Sequence, residues 1–120
     1  MSDRPARTAL LDHAEQVLDG KVALGSSGPR TAALLARCAF EEWLDEQSAS
    51  WAPTNYPFPS TRSKLVVLEI LGDRDVGAQA RWTWEALSRS VHHHAYELQP
   101  SVAEVRHLVE QVRGLTGGRR

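Results

Sequence analysis

Arg89 stands five positions ahead of His94, with Ser90, His92 and His93 between them and Tyr96 just beyond. An arginine stays protonated and can donate two parallel hydrogen bonds to a phosphate or carboxylate, while an imidazole can move a proton near neutral pH. Together they suit work on an anionic substrate. Three histidines in a row, His92 to His94, also raise metal binding. Consecutive helical residues point about 100° apart, so the three cannot converge on one ion unless the helix ends there. No Asp, Glu or Cys lies upstream at an adjacent ligand spacing, and Glu97 is the only near acid. No metal and no cofactor is therefore expected, and a His-cluster metal-binding protein is kept as the third reading. Cationic imidazoles could instead cap a helix C-terminus, which suits His92 or His93 but gives Arg89 no part.

The segment from Asp75 to His94 reads as a helix with two faces. Val76, Ala80, Trp84, Leu87 and Val91 trace a core stripe, and Trp82, Ala86, Arg89 and His93 line the opposite side at spacings of four, three and four. Trp82 either packs under a neighbouring proline-rich loop or anchors a partner surface, since an aromatic beside an arginine is typical of interface anchors. A second copy of the same helix is the simplest partner, so Trp82 and Ala86 are the candidate dimer interface. On an unbroken helix five residues span about 500°, which leaves Arg89 and His94 roughly 140° apart. Either the helix breaks near His92 and swings His94 back, or the working pair comes from two subunits.

Four further helices must position this segment. Pro5 followed by Leu10, Leu11, Ala14, Val17 and Leu18 gives a first helix over about residues 4 to 19, stopped by Gly20. Ser27 and Pro29 start a second that runs to about Gln47, with Ala32, Leu35, Cys38, Ala39 and Trp43 on one apolar face and Ala33, Phe40 and Leu44 on another. It is expected to be central. Trp51 to Ser60 holds Pro53, Pro57 and Pro59 and must be an aromatic-rich loop. Leu65 to Leu71 has the β-branched content of a buried strand, but no other segment offers it a pairing partner, so a helix capped by Ser60 or Thr61 and ended by Gly72 is expected. Ser101 and Glu104 form a Ser-x-x-Glu capping box that opens the last helix, whose stripe is Val102, Val105, Leu108, Val109, Val112 and Leu115. The predicted fold is all-α, a five-helix bundle in a single domain over residues 1–116, with a flexible tail over 117–120.

Composition agrees with that fold. The 120 residues are 42% hydrophobic and 24% charged, enough apolar surface for one core and no reason to expect disorder. A formal net charge of −1 supplies no overall positive field for nucleic acid, so any such contact must be local. The one cysteine, Cys38, lies in an apolar helical run and reads as a buried structural thiol in a reducing compartment. Met1 to Leu10 has no hydrophobic signal core and no stretch reaches the ~18 apolar residues of a membrane span, so the chain is expected to be cytoplasmic with no membrane partner.

The run from Arg89 to His94, continued by Ala95-Tyr96-Glu97-Leu98-Gln99-Pro100 and the capped last helix, resembles the HEPN superfamily, and within it an actinobacterial subfamily. Trp82-Thr-Trp-Glu-Ala-Leu-Ser88 and Pro100-Ser-Val-Ala-Glu104 carry the resemblance more specifically than the short motif, and with the helix order it extends over most of residues 8 to 115. Those domains are small helical bundles marked by an arginine, four to six residues and a histidine. Many are metal-independent ribonucleases acting as toxins or defence effectors, and they dimerise so that two motifs form one cleft. The resemblance implies a homodimer, RNA as ligand, and an antitoxin or regulatory protein as a further partner. It implies Arg89 as phosphate clamp and His94 as general base or positioner of the 2'-hydroxyl, with Ser90, His93 and Tyr96 as auxiliary contacts. One departure is Ser90, where active members often carry Asn, Asp or His, and it bears on catalytic strength. The alternative reading is a non-catalytic helical module whose same face binds protein.

Overall fold

In the computed structural model the described residues are 4–49, 60–92 and 100–117. They form α1 (Arg4–Leu18), a 3₁₀ turn (Gly25–Ser27), α2 (Gly28–Ala49), α3 (Thr61–Leu71), α4 (Arg74–Val91) and α5 (Val102–Thr116). No strand occurs among the described residues. The segment Leu65 to Leu71 is helical, as the lack of any pairing partner required. None of these helices is long and apolar enough to cross a membrane.

The helix ends are set by local chemistry. The Ser60 hydroxyl accepts from the Ser63 backbone N–H and Gly72 closes α3. Asp73 opens α4 by accepting from the N–H groups of Asp75 and Val76. At α5 the reciprocal capping box is complete: the Ser101 hydroxyl accepts from the Glu104 N–H, and the Glu104 carboxylate accepts from the Ser101 N–H. The Ser101 backbone N–H first, and the Ser101 hydroxyl second, hold the Glu104 carboxyl below the usual carboxylate range. Its folded-state pKa is depressed, so the stability it adds is present at neutral pH and is lost as acidification protonates it. Gly117 adopts φ +73 as the left-handed cap of α5 and donates its N–H to Arg113. It therefore ends the helix. Residues 118–120 lie outside the described residues.

Ion pairs, most of them at the surface, and small residues at close approaches tie the helices together. Arg7, almost fully buried, pairs with Glu46 at 3.0 Å, and Gly28 lies beside Val17, so α1 and α2 run antiparallel. Arg113 reaches Asp12 at 2.7 Å and Glu15 at 3.1 Å, and Arg106 reaches Asp19 at 2.9 Å, which sets α5 along α1. Lys64 pairs with Asp45 to seat α3 on α2. The Trp84 indole N–H donates to Glu41 at 3.3 Å, tying α4 to α2, and Gln79 donates to Gln111 at 2.7 Å, tying the first half of α4 to the second half of α5.

Ala32, Ala33, Ala36, Ala39, Phe40, Trp43 and Leu44 of α2 are buried, so this helix is central as expected. Cys38 is not among them. It is exposed, because it lies about 180° from the middle of that stripe. Its thiol is held above the usual thiol range, first by partial burial of the sulfur and second by the Glu41 carboxylate. That makes it a poor nucleophile at neutral pH.

Gly77 marks a close approach between two helices. A Cβ built there would stand 2.7 Å from the Glu69 Cα and 2.9 Å from its backbone N, so α4 touches the backbone of α3. Gly114, inside α5, has nothing within 4 Å of the same position. The two should respond oppositely to alanine. Gly114→Ala is expected to raise stability by about 0.5–1 kcal/mol through helix propensity. Gly77→Ala gains the same propensity but must push two backbones apart, an overpacking cost of about 1–3 kcal/mol, so it should melt several degrees lower. Thermal denaturation of both variants checks this, and a stabilised Gly77→Ala would contradict the close approach.

Candidate functional site

Of the two geometries the sequence leaves open for Arg89 and His94, a helix end near His92 or a pair from two subunits, α4 has the helix end. The helix stops at Val91, and His92 takes φ −73 and ψ 132, extended backbone, while its N–H still donates to the Ser88 carbonyl at 3.0 Å. The chain therefore leaves the helical path at His92. His93, His94 and Tyr96 lie outside the described residues, as do Glu97 and the proline-rich loop from Trp51.

Arg89 is exposed on the last turn of α4, where its positive charge meets the negative end of the helix dipole. Among the described residues no ion pair engages it. Ser90 is half-buried, and its hydroxyl donates to the Ala86 carbonyl at 3.0 Å within the same helix. That bond occupies the proton and leaves only the oxygen lone pairs for an auxiliary contact.

Trp82 is 50% exposed, the most exposed of the described tryptophans, and stands on the side of α4 away from the core. Ala86 does not share its exposure. It is 7% exposed and belongs to the hydrophobic core, a correction to its placement in the candidate interface. Ala86 is seven residues after Gln79, on the edge of α4 that turns to α5, and lies about 40–60° off the line through Trp82 and Arg89. The outer line is instead Ala78, Trp82, Glu85 and Arg89, all exposed.

The inner face of α4 also differs from the expected stripe. Gly77, Ala80, Thr83, Ala86 and Leu87 are buried, while Val76, Trp84 and Val91 lie at the margin. The Thr83 hydroxyl is fully buried and has no hydrogen-bond partner among the described residues, whereas the Thr116 hydroxyl, also buried, donates to the Val112 carbonyl at 2.8 Å.

Trp84 takes part in a polar clasp that the sequence reading did not isolate. Glu41 accepts from its indole N–H and from Arg37 Nε at 3.1 Å, and the Arg37 guanidinium lies 5.9 Å from the Trp84 ring centroid. The clasp fixes the second half of α4, and with it the rotation that aims Arg89 outward. The Arg37-x-x-x-Glu41 spacing was the available signal.

Among the described residues no three metal-ligating side chains come together. No known protein family, curated protein or solved structure matches the chain.

Proposed function

We propose that the chain is a HEPN-like homodimeric RNA-binding domain that cleaves RNA without a metal, with Arg89 as phosphate clamp and His94 as general base or positioner of the 2'-hydroxyl. The observation that supports it most is the end of α4: an exposed arginine with no described ion pair sits on the last turn, and the chain becomes extended at His92 before the histidine that completes the motif. Cleavage of RNA by its own 2'-hydroxyl needs a proton acceptor and a cation beside the phosphate as charge builds on its oxygens. An arginine supplies the second whatever the pH. Ser90, His93 and Tyr96 are auxiliary contacts in this reading, and an antitoxin or regulatory protein is a further partner.

A second reading, a helical module that binds protein through the outer face of α4, is favoured by the exposed Trp82 on that face. Purified protein incubated in EDTA with labelled RNA and with DNA of the same sequence separates the two. RNA should be bound and cut to products ending in 2',3'-cyclic phosphate, with DNA intact. Absence of any RNA binding, or cleavage that needs magnesium, would leave the protein-binding module in front.

A further inference from the structure

We draw no further inference here: the strongest candidate, the apolar outer face of α3 on which Val66, Ile70 and Leu71 stay exposed, carries none because nothing in the structure shows what covers it.

Discussion

Alanine at Arg89 or at His94 is expected to lower RNA cleavage about 100-fold to 1000-fold, the usual cost of removing one group that stabilises charge in a transition state. This is a hypothesis drawn from the Arg89 to His94 spacing and from the exposed position of Arg89 at the end of α4. Arg89→Ala should leave the fold intact, because no described ion pair engages the side chain and exposed substitutions usually stay within about 0.5 kcal/mol. Lys in place of Arg89 keeps the charge but loses the planar fork, so it should recover only part of the rate. Mixing the two alanine variants and letting subunits exchange then asks where the working pair lies. If it is shared between subunits, a mixed dimer holds one intact pair and activity partly returns. If it lies within one chain, every subunit lacks one member and nothing returns. Cleavage that persists in Arg89→Ala/His94→Ala protein would remove both residues from the chemistry.

The sequence made the helices legible because their signals are local. Ser60, Gly72, Ser101 with Glu104, and Gly20 act within a turn of where they stand, and each marks a helix end where expected. Which side of each helix is buried depends on neighbours that are distant in sequence, and there the reading slipped. α4 is contacted by α2, α3 and α5, so its buried arc is wide enough to take in Gly77, Thr83 and Ala86. Thr83 looks polar and Ala86 is compatible with either side, so periodicity found the centre of the stripe and missed its edges. Cys38 shows the same limit: apolar character suggested burial, but position relative to Ala36, Ala39 and Phe40 put it outside. Of the candidate site, Arg89 and Trp82 were placed correctly on the outer face. The end of α4 at Val91 was foreseen only as one of two geometries, because no Gly or Pro marks it.

Two valines that sequence periodicity puts on one stripe should behave very differently. Val105 is fully buried in the core and Val102, one turn earlier, is 41% exposed. Val105→Asp would place a carboxylate among apolar side chains with no partner, and burying an unpaired charge costs several kcal/mol against a total stability of about 5 to 15 kcal/mol. The variant is expected to lose its cooperative melt and most of its helical signal at neutral pH. Val102→Asp meets water instead and stands in the first turn of α5, where a negative charge favours the helix dipole. It should melt within a few degrees of wild type. The comparison isolates burial, because the substitution is the same and the positions are three residues apart. A folded Val105→Asp would mean that the centre of α5 does not pack as described. An unfolded Val102→Asp would mean that the start of α5 is covered, and that its stripe runs the full length that periodicity suggests.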